Sequence, residues 1–222
     1  MSAPRSVKQP ARNWGERLGR QLEAPQGRGG AIVGELMRLI NSGPYAHALK
    51  ALEVRGGDVT LELGFGPGAG LQQLARTSTR VICGIDHSAT MLAAARARNS
   101  RAVAEGRMDL RCGRFGALPW GDDSFDRALL VNVVYFFALD GSDMRELRRV
   151  LRPGGLAAIY ATDQITMSKW PFAGSSTHRH FDPMTLAAAL RDGGFDSQRI
   201  SVKTVQLPFR VTGLIATARK EC

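Results

Sequence analysis

Cysteine is scarce in this chain and badly placed for covalent work. The three thiols, Cys83, Cys112 and Cys222, are odd in number and far apart. That excludes a disulfide framework and a Cys-x-x-Cys metal site, and a reduced, cytoplasmic setting is the expectation. Long apolar runs are missing too. None approaches the roughly 20 residues of a membrane-spanning helix, and MSAPRSVKQPARNWGERLGR lacks the apolar stretch of a secretory signal. Acidic residues are in deficit: 20 Asp and Glu face 30 Lys and Arg, a formal charge of +10. Such an excess attracts nucleic acid, anionic lipid or acidic substrates. The arginines are scattered, however, without an RNA-binding motif or an aromatic-interleaved stripe, so nucleic acid is not expected as a partner. There is no Ser-His-Asp pattern, no Tyr-x-x-x-Lys and no internal repeat. The lone His-x-His of His178 and His180 is too little for a metal site, and no metal is expected.

What is present is enough for one α/β domain. The chain has 222 residues, 44% hydrophobic and 23% charged, in the ordinary range for a globular protein. Residues 1–30 are polar and basic and read as a partly ordered tail, with Trp14, Leu18 and Leu22 on one side of a short helix. Residues 31–222 read as a single domain, opened by a helical cap over 31–56 that stops at Gly56-Gly57. Strand and helix patterns then alternate. DVTLELGF, RVICGID, RMDLRCG, FDRALLVNVVYFF and LAAIYATD read as strands. GLQQLARTS, SATMLAAARARNS, SDMRELRRVLRPGG and DPMTLAAALRDGG read as the helices between and after them. Ser88 and Asp182 stand as N-caps, and Pro153 with its two glycines as a helix stop. RISVKTVQL and VTGLIATAR close the chain as an antiparallel hairpin. Alternation of this kind implies a mostly parallel sheet with helices on both faces.

The densest glycine stretch, LELGFGPGAG, falls where the first strand ends. In parallel α/β sheets, ligands bind at that end, where strand order reverses. Gly64, Gly66 and Gly68 let the backbone turn sharply and approach a ligand closely. Asp86 follows Gly64 by 22 positions, at the end of the second strand, where a carboxylate accepts ribose hydroxyls. The pattern calls for a ribose-bearing ligand with an anionic end.

Four segments together resemble the class I S-adenosylmethionine-dependent methyltransferases, in the ubiquinone/menaquinone-methyltransferase-like (type 11) branch. They are LELGFGPGAG, GIDHSATML, CGRFGALPWGDDSFD and ELRRVLRPGG, running from about residue 58 to 160. The resemblance implies a Rossmann-like seven-stranded sheet ending in an antiparallel hairpin, with S-adenosyl-L-methionine as cofactor and S-adenosyl-L-homocysteine as product. It implies that Gly64, Phe65, Gly66 and Gly68 wrap the amino-acid end of the cofactor, that Glu62 organises that loop or reaches the ammonium, and that Asp86 holds the ribose. His87 and Met91 would border the adenine with Phe115 on its other side, and Asn132 would face the sulfonium. Arg114 stands where the family commonly has Asp; it has no acceptor for the adenine amino group and is expected to turn outward.

Methyl transfer needs alignment more than acid–base chemistry, and no conspicuous dyad is found. Candidate acceptor-side groups are Tyr135 at the end of the fourth strand, and His178 or His180 in the lid-like MSKWPFAGSSTHRHF, with Trp170 and Phe172. The cap would add Met37, Asn41 and Tyr45. The expected activity is methylation of a small-molecule O, N, C or S nucleophile. The alternatives are a lipid or quinone head group at an anionic membrane surface, a nicotinamide-dependent oxidoreductase, and a non-catalytic methyltransferase-like binding protein. The oligomeric state is open, a homodimer included.

Overall fold

A computed structural model describes residues 42–170 and 179–222. The basic tail, the cap up to Asn41 (with Met37), and Phe172 and His178 of the expected lid lie outside the described residues. Seven strands form one sheet: β1 (Val59–Leu63), β2 (Val81–Asp86), β3 (Met108–Cys112), β4 (Phe125–Val131), β5 (Leu151–Thr162), β6 (Ile200–Leu207) and β7 (Val211–Arg219). Their order is β3-β2-β1-β4-β5-β7-β6. β1 to β5 pair in parallel, and β7 runs antiparallel between β5 and β6. The order reverses between β1 and β4, so the switch point lies at the end of β1, beside the glycine stretch.

Helices cover both faces: α1 (Ser42–Leu52), α2 (Ala69–Leu74), α3 (Ala89–Arg98), α4 (Ser100–Ala104), α5 (Ser142–Val150), α6 (Gln164–Met167) and α7 (Pro183–Asp192). The strand alternation decides which core each side chain joins. Leu61, Leu63, Ala128 and Leu130 pack with Leu147, Leu186 and Leu190 of α5 and α7 on one face. Leu129, Val131, Ala158 and Tyr160 pack with Tyr45, Ala48 and Leu52 of α1, and with Leu71 and Leu74 of α2, on the other. Burial on both faces explains why β4 is an unbroken apolar run. Two caps form as the sequence implies. Ser88 accepts from the Met91 N–H, and Asp182 makes a reciprocal capping box with Thr185, followed by Pro183 at the first helical position.

Three expected boundaries move. The helix expected to run to Gly56-Gly57 ends at Leu52, where Glu53 takes φ 51°. FDRALLVNVVYFF is not one strand: β4 ends at Val131, Asn132 takes φ 53°, and Val134–Phe136 coil into a 3₁₀ turn. The residues after Val131 are apolar because that turn is buried, and periodicity does not separate it from a strand. Pro153 with its glycines is not the stop of α5, which ends at Val150. The chain is already extended at Leu151, opposite Phe125, and the next paired residues are Arg127 and Leu156. Residues 152–155 bulge out of the ladder, with Gly154 at φ 77°.

Candidate functional site

The end of β1 is built around a buried acid. Glu62 points to the α1–α2 face, fully buried, and accepts a hydrogen bond from the Tyr45 hydroxyl at 2.7 Å through Oε1. Its Oε2 is buried with no hydrogen-bond partner among the described residues. Burial pushes its carboxyl from the ordinary 4.5 up to about 8, against the opposing pull of the Tyr45 hydrogen bond, and the nearby Asp86 adds to the rise. Tyr45 therefore holds α1 to the floor of the site rather than lining an acceptor pocket. It also explains Gly70: a Cβ there would come within 2.2 Å of the Tyr45 ring and 2.4 Å of Glu62 Oε1.

The turn above this acid is held open by its glycines. Gly64, Gly66 and Gly68 have φ of 70°, 52° and 83°, a region that L side chains rarely adopt. At Gly64 a Cβ would press to 2.4 Å on Val133, and at Gly68 to 2.8 Å on the Ala95 backbone. Gly66 differs, since a Cβ there would meet nothing within 4 Å. Its bare face borders open space. Its N–H donates to Asp86 Oδ2 at 2.9 Å, while Asp86 Oδ1 accepts from the Ser88 N–H at 2.9 Å. Each oxygen keeps a lone pair for a further donor. Asp86 is buried, and burial raises its carboxyl above the usual range despite those two bonds and His87. Sequence reasoning missed Asn99, whose amide donates to the Gly68 and Ala95 carbonyls at 3.0 and 2.9 Å and so ties the turn to α3. Nothing in the ARNS string separates that role from a helix end.

The remaining candidates gather around the same end of the sheet. Phe65 supplies only its backbone to the turn; its ring is buried in the core against Gly84. His87 and Phe115 meet edge to face with centroids 6.3 Å apart, and Phe115 packs on Phe137 at 5.4 Å. Standing edge to face, His87 and Phe115 leave no flat slot between them. Met91 is buried in α3. Arg114 is exposed. At the ends of β4 and β5, Asn132 Oδ1 accepts from the Tyr135 hydroxyl at 2.6 Å and from Thr162 Oγ1 at 3.3 Å, and Tyr135 Oη accepts from the Thr162 N–H at 2.5 Å. Burial pushes the Tyr135 phenol well above its ordinary value, so its hydroxyl is a brace and not a base. The segment at Arg179–Phe181 runs alongside. The Arg179 N–H donates to the Tyr135 carbonyl, and Phe181 bridges to Asp163, with half-buried His180 between these two contacts.

S-adenosylmethionine carries two cations, an ammonium and a sulfonium, and the site fits them. Two buried carboxylates, one with an orphaned oxygen, sit under and beside a glycine turn.

Comparison with known proteins agrees. Residues 61–159 match the family model described as "Methyltransferase domain". Methyltransferase GfsG of Streptomyces halstedii is 35% identical over 108 residues, 49% of this chain and 39% of that protein. The uncharacterized methyltransferase YdaC of Bacillus subtilis is 28% identical over 85% of this chain and 98% of its own length. The chain spans 31%, 39% and 30% of the length of three curated relatives that it matches. Among solved structures, one described as a complex between the Haloferax volcanii Trm112 methyltransferase activator and its methyltransferase superposes with TM-score 0.74 at 20% identity, over 85% of this chain and 93% of that one, and shares the fold.

Proposed function

We propose that this chain, whose residues 61–159 match a methyltransferase-domain model, transfers a methyl group from S-adenosylmethionine to a small-molecule nucleophile by in-line displacement. The observation that carries this reading is the joint made by Gly66 and Asp86 over Glu62: a bare turn, a ribose-ready carboxylate and a buried acid with one oxygen unpartnered. When bound, S-adenosylmethionine supplies a methyl group on a sulfonium leaving group, so the activation is its own. The protein's part is to bind, orient and exclude water. Gly64–Gly68 receive the amino-acid end, with Glu62 Oε2 as counter-charge to the ammonium. Asp86 takes the ribose hydroxyls with its second lone pairs. His87, Met91 and Phe115 shape the base side. Asn132, fixed by Tyr135 and Thr162 at φ 53°, forms the wall between cofactor and acceptor. His180 orients the acceptor or takes its proton, a role open also to His178.

Calorimetric titration with S-adenosylmethionine and S-adenosylhomocysteine, with NADPH as control, tests this. Micromolar binding of both adenosyl ligands is expected, with a loss of about a hundredfold or more in Asp86→Ala, equivalent to about 3 kcal/mol. NADPH binding in their place would overturn the reading.

A further inference from the structure

The Tyr45 ring is wedged between the two arms of the glycine turn. On the arm that enters it, β1, the hydroxyl donates to Glu62 Oε1 at 2.7 Å. On the arm that leaves it, α2, Gly70 makes room for the ring: a Cβ there would stand 2.2 Å from Cε1 and 2.5 Å from Cζ. One phenol therefore braces both sides of the loop between Leu63 and Ala69. The phenol comes from α1, outside the loop.

Packing of α1 does not require that hydroxyl. Ala48 and Leu52 are completely buried, in one cluster with Leu71, Leu74 and Tyr160, and a phenylalanine at position 45 would fill the same space. Burying a phenol against a carboxyl costs the desolvation of two polar groups, and an apolar pair of the same shape would be neutral or more stable. The polar pair stands where one carboxyl oxygen, Glu62 Oε2, has no partner among the described residues. Burial, and then Glu62, hold the Tyr45 phenol well above its ordinary value, so its proton stays available to donate. The titratable groups that act on Glu62 are Tyr45 of α1 and Asp86 of β2, with His87 3.8 Å from Asp86. The α2 helix, AGLQQL, contributes none.

We propose that Tyr45 is a positioning residue for the cofactor's ammonium: its hydroxyl fixes Glu62 Oε1, leaves Oε2 as the acceptor for the cation, and binds more strongly as Glu62 ionises against it. A hydrogen bond to a carboxylate is about twice as strong as one between neutral groups. Phenol and ligand thus favour each other through the acid they share, each raising the other's hold by the same factor. The Tyr45 bond also opposes the rise that burial imposes on the Glu62 carboxyl. Without it, the ligand must displace a proton held more tightly. The inference rests on the reading that this turn receives the amino-acid end of S-adenosylmethionine.

The test is Tyr45→Phe in the full-length protein, which keeps the ring against Gly70 and removes only the hydroxyl. Two ligands are titrated by calorimetry from pH 6 to pH 9: S-adenosylhomocysteine, and 5′-methylthioadenosine, which has the base and ribose but no amino-acid end. At pH 7 the variant should lose about tenfold or more in affinity for the first and less than about twofold for the second. Wild-type affinity for S-adenosylhomocysteine should rise with pH and level off above about 8; in the variant the levelling should move to higher pH. In a Glu62→Gln background, Tyr45→Phe should change that affinity by less than about twofold. Equal losses for the two ligands would make Tyr45 merely structural and overturn the proposal, as would a loss that persists in full beside Glu62→Gln. Wild type alone gives a second reading, independent of how well the variant folds. S-adenosylhomocysteine should slow hydrogen exchange in α1 and 5′-methylthioadenosine should not; equal protection by both would overturn the proposal. Wild type that binds neither ligand would overturn the proposed function and this inference with it. Wild type that binds both, with Tyr45→Phe at full affinity, would overturn this inference alone.

Discussion

Removing the charge from the floor of the site should change how stability responds to pH. Glu62 ionises near 4.5 in the unfolded chain and at about 8 when folded without ligand. Between those values the folded protein holds a proton that the unfolded chain has released. Stability therefore falls as pH rises through the window and levels off above about 8. At 1.36 kcal/mol per pH unit, the gap amounts to roughly 5 kcal/mol for full traverse, and about 4 kcal/mol between pH 5 and pH 9. Glu62→Gln keeps an acceptor for the Tyr45 hydroxyl and cannot ionise. Urea unfolding of both proteins across that range isolates the contribution of this one group, since every other titration is shared. The variant should gain on wild type by about 4 kcal/mol from pH 5 to pH 9, a relative midpoint shift of about 2 M for a slope near 2 kcal/mol/M. In the same terms, binding a ligand with an ammonium group at pH 7 should expel close to one proton from wild type and none from the variant, readable by calorimetry in buffers of different ionisation enthalpy. Parallel stability curves would refute the reasoning, because they would mean that the folded carboxyl is already ionised across the range.

Other outcomes follow from the same geometry. Gly70→Ala would drive a methyl group into Tyr45 and Glu62, which lie 2.2 and 2.4 Å from its Cβ; a loss of about 2 kcal/mol or more in urea unfolding is expected. Tyr135→Phe removes the brace between Asn132 and Thr162 and should lower stability by about 1–3 kcal/mol. It should leave the pH profile of methyl transfer unmoved, since burial holds the phenol neutral. Arg114→Asp, at an exposed position, should change S-adenosylhomocysteine affinity by less than about twofold, checked by the same titration as Asp86→Ala.

Local signals carried most of the fold. Ser88, and Asp182 with Pro183, each act within one turn of chain and behave as their chemistry dictates, whereas α1 stops at Leu52, ahead of the expected stop at Gly56-Gly57. The alternation of strand and helix patterns foreshadowed the parallel sheet, and the glycine stretch marked the end of β1 at the switch of strand order. What escaped was long-range or buried. Tyr45 and Glu62 are 17 residues apart and meet only because α1 lies across the sheet. Asn99 reaches back 31 positions to Gly68. The end of β4 was hidden because apolar residues in a buried turn look like apolar residues in a strand. The left-handed, exposed Phe209 left no trace in the sequence beyond a PF dipeptide between two strands, since that backbone conformation is one the side chain does not favour.

The position of β7 bears on how the chain can be made. It is the last strand in sequence, yet it lies inside the sheet, hydrogen-bonded to β5 on one side and β6 on the other. A chain emerging from the ribosome completes β1 to β5 first, and the outer edge of β5 then stays open as a template for foreign strands until residues 211–219 arrive. The residues that follow close the assembly: Lys220 reaches Asp123 and the Arg149 and Leu151 carbonyls, and Glu221 pairs with Arg148. Truncation before Val211 would therefore remove an interior strand and its clasp together, leaving a nascent product whose unpaired edges invite aggregation rather than a shortened enzyme.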